Sequence, residues 1–513
     1  MEHKFSVPEE NPVRVERMAG VSLSHEAAGE HTLPDYLPPI RRMVALRAAV
    51  LPEGQFLTPT SAGATLEMSG TVAYSLVYTD DEGRLCSASL TNDYSASSAL
   101  AERADDVRLT TVTESNTCRV LAPRKVSLRS RLATEVEAWR TVSVEEGLDG
   151  LSVADRINLE RLPVSYSVAT VLHGEGRGLR EEGILATVAD PLRPVLCDGC
   201  VTVRSVRAEN DCAVIRGAIT VSCLAVAEGA GATDRPVNLE RTEEFEQSVE
   251  IPGCREGDLV TACGRSVSLL LNNDEAADGS REISYELTFD LMADASCNRT
   301  VTATADLYST SRASSCTYCR GDSVSVEKVI MGSLTLSESA SCKSGGEASC
   351  VNASVRAAVE RQEWKGGKLT LSGSAVFSTV LCGADGELSG EEYTVPFRYT
   401  ADSRAERGYA RVSCTCGPAH VRSDGETLTL MTELYFAVTV FEARPLTTVG
   451  AVTVGEPYPE EESVCLRVCY PIKDETLWQV GKRYHKSCRE LAEANGLGDG
   501  AMTALAEGMR LIV

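Results

Sequence analysis

The chain has 513 residues, 43% of them apolar but only 5% aromatic, so its cores must rest on Val, Leu, Ala and other small residues. At roughly 100–200 residues per domain, that length predicts three or four domains. Its 50 Lys and Arg against 74 Asp and Glu give a formal charge of -24, with no Lys/Arg-rich cluster to offset it locally. A surface that negative repels phosphate backbones, which excludes nucleic acid as an expected partner.

The N-terminal stretch MEHKFSVPEENPVRVERMAG has no apolar core and no small-residue cleavage site, so no signal peptide is expected. No run of about 18 apolar residues occurs, so no transmembrane segment is expected either. Nearer residue 33, LPDYLPPIRRMV carries Pro34, Pro38 and Pro39, which favour an extended lead into a strand.

Three stretches then line up along the chain: ATLEMSGTVAYSLVYTDDEG from 64, DCAVIRGAITVSCLAVAEGAG from 211 and GKLTLSGSAVFSTVLCGADG from 367. Each alternates apolar and polar residues with period two, as a half-buried strand does. One face collects Leu66, Met68, Val72, Tyr74, Leu76 and Tyr78 in the first, and Ile215, Ile219, Val221 and Cys223 in the second. In the third it collects Leu369, Leu371, Ala375, Phe377 and Leu381. Gly70, Gly217 and Gly373 hold the same phase, at spacings of 147 and 156 residues. A mid-strand glycine marks a bulge, a bend or a close backbone approach.

Turn signals such as Asp81-Glu82-Gly83 follow each stretch, and a second strand-like block closes each unit. The expected fold is therefore mainly β, with three β-sandwich-like repeats at 25–150, 165–312 and 325–452, behind an N-terminal extension at 1–24. An acidic linker at 453–464 leads to a small α+β module at 465–513 with the order βααβ. There Val468, Tyr470 and Ile472 alternate, Leu477, Val480, Gly481 and Tyr484 fall at helical spacing, and Ser487 to Glu490 reads as a capping box. Asn495-Gly496 suits a left-handed helix end, and Met509 to Val513 reads as a closing strand.

Within that module DETLW, KRYHKSCRELAEANGL and EGMRLIV resemble the blocks of a LysM domain, with Asp474 where the family usually has glycine. The resemblance implies a groove between the first loop (Asp474, Glu475, Thr476, Leu477) and the loop after the second helix (Asn495, Gly496, Leu497, Gly498). Such a groove takes N-acetylglucosamine polymers, including peptidoglycan glycan chains. The residues themselves leave another role open, since Thr476 and Asn495 also suit caps and Leu477 and Leu497 suit a core. The module carries seven Lys and Arg against six acids, a near-neutrality that permits either a glycan or a protein partner.

The repeats, with their LPDY-like openings and V-x-G-x-V strands, resemble the SPOCS domains of endospore-forming Firmicutes. SPOCS repeats ending in one LysM resemble the SipL-type spore coat morphogenetic proteins. That likeness implies a scaffold at the forespore surface in the mother-cell cytoplasm, whose partner is the morphogenetic ATPase of the coat's basement layer.

Signs of chemistry are few. The six histidines form no HExxH, and no GxSxG is present, so no catalytic residue is expected. Gly174 to Gly178 lacks the Lys-Ser/Thr of a phosphate loop and reads as a turn. The nineteen cysteines are odd in number and scattered, which suits soft core residues better than a disulfide framework. The CxxC pairs Cys197/Cys200 and Cys316/Cys319 lie 115 residues apart, against about 15–20 in a shared zinc site, so neither metal nor cofactor is expected.

Overall fold

The structure, a computed structural model, describes residues 13–513 apart from 19, 62, 145–155, 189–190, 228–235, 276–279, 344–346, 406, 460–466, 499, 501, 503 and 507. The chain is mainly β, as the alternation predicts, with a small α+β module at its C-terminal end. The three repeated stretches form the strands β4 (Ala64–Thr79), β10 (Cys212–Ala227) and β16 (Lys368–Gly383), and every residue named on their inward faces is buried.

Each of these strands is the middle of an antiparallel meander. The flanking strands are β3 (Arg42–Pro59) and β5 (Leu85–Leu100), β9 (Leu192–Glu209) and β11 (Pro236–Glu250), and β15 (Ala348–Trp364) and β17 (Leu388–Asp402). A second antiparallel sheet covers each meander. Its central strand is the last of the unit: β7 (Lys125–Ser143), β13 (Arg281–Ser309) or β20 (Thr427–Pro457). On one side of it lies the first strand, which is β1 (Val13–Arg17) with β2 (Val21–Thr32), β8 (Leu159–Val188) or β14 (Arg312–Ser341). On the other side lies β6 (Asp106–Ala122), β12 (Leu259–Glu275), or β18 (Gly408–Cys416) with β19 (His420–Asp424). Residues 13–24, set apart in the sequence as an extension, thus form β1 and the start of β2. Each unit packs its own core between its sheets, around Tyr74 and Leu132, Ile215 and Phe289, and Phe377 and Phe436.

The repeated glycines have a shared structural cause. Gly70, Gly217 and Gly373 stand in register with Tyr94, Phe245 and Phe397 on the following strand. A Cβ at these positions would lie 2.6 Å from the Tyr94 hydroxyl oxygen and 2.7 and 2.8 Å from Cζ of Phe245 and Phe397. From the other side the backbone carbonyls of Leu51, Thr202 and Ala358 press on the same point, where the preceding strand carries a β-bulge. Only glycine lets a bulged strand and an aromatic ring close on the central strand together.

The units are not beads on a string; they close into a ring about a pseudo-threefold axis. The first meander strand of each packs on the meander of another: β3 on β16 and β17, β9 on β4 and β5, β15 on β10 and β11. A second bulge in β3, β9 and β15 sets Val44, Val195 and Val351 out of pairing register. These valines join Val77, Leu224 and Val380, equivalent positions on the central strands, in an apolar cluster that draws on all three units. Arg42 and Arg193, again equivalent, each reach a backbone carbonyl of the neighbouring unit, Leu388 at 2.8 Å and Leu85 at 2.7 Å.

A polar counterpart joins the second sheets. Glu137, Asp294 and Thr439 hold equivalent positions, each in register with Arg108, Thr261 and Arg411 respectively. Contacts pass round the ring: Arg108 pairs with Asp294, Thr261 Oγ1 lies 3.4 Å from Thr439 Oγ1, and Arg411 pairs with Glu137 at 3.1 Å. His173 bridges two units, with Nδ1 2.8 Å from Asp294 and Nε2 3.3 Å from Asp106. Its hydrogen bonds to Asp106 and Asp294 push the imidazole up to about 9. Burial raises the Asp294 carboxyl, but the His173 hydrogen bond and the guanidiniums of Arg108 and Arg411 outweigh it and hold the group well below the usual range. Beside this node Trp139, Ala169 and Phe441 make a further apolar contact among the three units.

Two departures from the sequence reading concern β8 and β20. Gly174 to Gly178 is no turn: β8 runs straight through it, with a bulge opposite Asp290 where Gly178 takes a φ of 64°. The stretch 453–464 begins in strand, because β20 continues to Pro457, while 460–464 lies outside the described residues. Residues 297–309 pair with β8 alone and 443–457 with β14 alone, giving two ribbons that pack together through Leu307, Val449 and Val452.

Gly217→Ala or Gly373→Ala is expected to cost about 1–3 kcal/mol in chemical denaturation, as overpacking does. Gly498→Ala, at a site with nothing within 4 Å, should leave the midpoint unchanged. His173, raised from 6.5 to about 9, contributes stability that is complete below its ordinary value and is lost as pH climbs through its folded value. Denaturation midpoints should therefore fall between pH 6.5 and 9 in the native chain, and less steeply in His173→Gln.

Candidate functional site

The C-terminal module pairs β21 (Val468–Cys469) with β22 (Leu511–Ile512) and sets two helices between them, α1 (Leu477–Tyr484) and α2 (Cys488–Asn495). Both helices begin with a capping box: Thr476 with Gln479, and Ser487 with Glu490. Gly496 ends α2 in the left-handed region at a φ of 64°, and His485 does the same for α1 at 57°. The core is Leu477, Trp478, Val480, Leu491, Ala492, Leu505 and Leu511.

The two loops expected to form a groove pack on this core, and most of their side chains are engaged within the module. Glu475 is buried, accepts a hydrogen bond from the Ile472 N–H at 3.1 Å and pairs with Arg483 at 3.0 Å. The Thr476 side chain caps α1, and Leu477 is 1% exposed in the core. Asn495 donates to the carbonyls of Leu491 and Ile512, both at 2.8 Å, and accepts from the Ile512 N–H at 2.7 Å, stitching α2 to β22. Leu497 packs against the core. Asp474 and Gly498 are exposed, and Asp474 takes a φ of 63° in the left-handed region, where the LysM resemblance places a glycine.

A second feature of the module had no counterpart in the sequence reading. Helix α1 is fastened to the ribbon of the second unit. Trp478 meets Tyr308 edge-on at a centroid distance of 4.8 Å, and its indole N–H donates to Asp306 at 2.9 Å. Lys482 pairs with Asp306 at 2.8 Å, and the Tyr308 hydroxyl donates to the Lys486 carbonyl at 2.7 Å. Burial raises the Asp306 carboxyl, but hydrogen bonds from Lys482, Trp478 and Tyr318 prevail and lower it. His485 stacks on Tyr458 with ring centroids 3.7 Å apart. In the sequence Asp306 and Tyr308 merely continue the run Val301 to Ser309, so nothing there marks them as an anchor; in the fold a bulge before Asp306 breaks the alternation.

The opposite character belongs to the β21 side. Val468 and Ile512 stand in register, and Tyr470 and Ile472 follow Val468 at alternate positions. These four are 41%, 44%, 58% and 67% exposed, an apolar stripe beside the exposed Lys473 and Arg510. The alternation predicts a strand through Ile472, but the strand ends at Cys469, and Tyr470 and Ile472 lie exposed beyond it.

Among the described residues, no group of three His, Cys, Asp or Glu is placed to hold a metal, and no helix is long and apolar enough to cross a membrane. Compared with known protein families, curated proteins and solved structures, the chain matches none.

Trp478→Ala is expected to remove about 3–5 kcal/mol from the contact between module and body. The module should then be lost first in limited proteolysis, while the ring of sandwiches persists.

Proposed function

We propose that the chain is a non-enzymatic scaffold in endospore envelope and coat assembly. Its C-terminal module docks the basement-layer morphogenetic ATPase at the forespore surface, on the mother-cell side. The resemblance of the repeats to SPOCS domains and of the module to LysM supplies the setting. The observation that carries the docking role is the exposed stripe of Val468, Tyr470, Ile472 and Ile512 on a module pinned to a large body. Apolar side chains that far exposed beside one another favour a protein surface over a sugar polymer.

A second reading is binding of peptidoglycan glycan chains, which would anchor the chain to spore cortex or cell wall. It draws on the LysM resemblance and on Asp474, Gly496 and Gly498, the three exposed members of the loops. Neither reading involves nucleic acid, given the charge of -24.

The full chain, offered the purified ATPase and purified sacculi separately, distinguishes the two. Retention by the ATPase, weakened about tenfold or more by Ile472→Arg, is the expected result, since a buried charge in an apolar contact costs upward of about 1.4 kcal/mol. Retention on sacculi alone, lost in Asp474→Arg but not in Ile472→Arg, would replace the scaffold with a wall-anchoring role.

A further inference from the structure

The cysteines were read as soft core residues, and Cys197 with Cys200 as a motif. The structure pairs them otherwise. Side chains three apart on a strand leave on opposite faces. Cys200 accordingly turns toward the third unit and donates to the Cys416 carbonyl at 2.8 Å. Cys197 instead faces Cys223, its register partner across β9 and β10, with the two Sγ atoms 3.2 Å apart.

The two thiols are not equivalent. Cys223 is fully buried, whereas Cys197 is half-buried. Arg47, from the first unit, comes beside Cys197 with its side chain 10% exposed, and pairs with Asp198. Contact with the Cys223 sulfur lowers the Cys197 thiol against the effect of burial, and the Arg47 guanidinium adds to the lowering. The same contact, together with burial, pushes the Cys223 thiol up. One sulfur is therefore disposed to attack and its neighbour to resolve.

We propose that Cys197 and Cys223 form a peroxide-reactive dithiol that closes to a cross-strand disulfide, with a small hydroperoxide as the oxidant. The Cys197 thiolate attacks one peroxide oxygen and the O–O bond breaks. With hydrogen peroxide, the sulfur keeps OH as a sulfenic acid and the departing hydroxide takes up a proton to leave as water. Cys223 then attacks the Cys197 sulfur, the S–O bond breaks, and the Cys223 proton leaves with the hydroxyl as a second water. Two thiols and one peroxide become one disulfide and two waters. Closure removes the thiolate facing Arg47 at a point where Arg47, Asp198 and Asn352 bring the three units together.

The full-length protein is treated with limiting hydrogen peroxide, unfolded in denaturant containing N-ethylmaleimide so that every remaining thiol is blocked, digested without reduction and mapped by mass spectrometry. The peptide of Cys197 should be found linked to that of Cys223. Both should lose maleimide label about tenfold faster than the half-buried Cys118, whose thiol burial pushes up. In Cys223→Ser the sulfenic acid of Cys197 should persist and be trapped by dimedone. Full maleimide labelling of both residues after the exposed Cys319 has been oxidised, or a link from Cys197 to any other cysteine, overturns the proposal. The mapping of the unaltered chain decides the matter even if the variant fails to fold.

Discussion

A meander of three strands has two faces, and period-two alternation buries only one of them. The other face must meet water or another unit, and one extra residue in each first strand decides which. The bulges at Val44, Val195 and Val351 turn a valine out of its sheet toward Val77, Leu224 and Val380, so the outward faces of three meanders share an apolar core. A core residue of this kind is worth about 2–5 kcal/mol on truncation to alanine. An exposed pair such as Arg42 with Glu387 contributes up to about 1 kcal/mol. The ring is thus held by the valine cluster and by the node of Arg108, Asp294, Arg411 and Glu137, and surface ion pairs only trim its rim.

Closure about an axis changes what each contact does. In a linear array a unit leans on its neighbours in sequence; here the third unit also meets the first, through Arg411 and Glu137 and through β3 against β16 and β17. The ring then supports the ribbons. Trp139 and Phe441 brace their base, Leu307 and Val449 hold them together, and Asp306 with Tyr308 carries α1. Rigid presentation matters for a docking surface, because ordering a loose module on binding would be subtracted from the affinity.

Much of this architecture was legible along the chain. Alternation located the inward faces of β4, β10 and β16, a common phase singled out Gly70, Gly217 and Gly373, and hydroxyl-to-carboxylate spacing marked Ser487. Residues that serve the ring left no such trace. Val77 reads as the middle of Leu76-Val77-Tyr78, and Arg108 and Arg411 read as ordinary polar alternates, since their partners lie in other repeats. In the module, Glu475, Leu477 and Asn495 were chosen for their place in a family groove. Their side chains are bonded or buried within the fold, leaving Asp474, Gly496 and Gly498 as the outward members. The stripe from Val468 to Ile472 was seen as a pattern, but exposure is a property of what fails to cover a strand, and pattern alone does not record it.

The distribution of charge argues for where association occurs. The meander edges β5, β11 and β17 each pair with a single strand of their own sheet, and such edges invite a foreign strand. Here they are guarded: β11 carries Glu240, Glu243, Glu244 and Glu246, β17 carries Glu391 and Glu392, and β5 carries Asp93. A chain of net charge -24 with edges armoured in this way resists pairing with copies of itself. The nearly neutral module departs from that rule, placing exposed Tyr470 and Ile472 beside Lys473. Repulsion over the body and an apolar, locally basic stripe at one corner together direct contact to that corner, and they favour a partner that brings apolar side chains rimmed with acids.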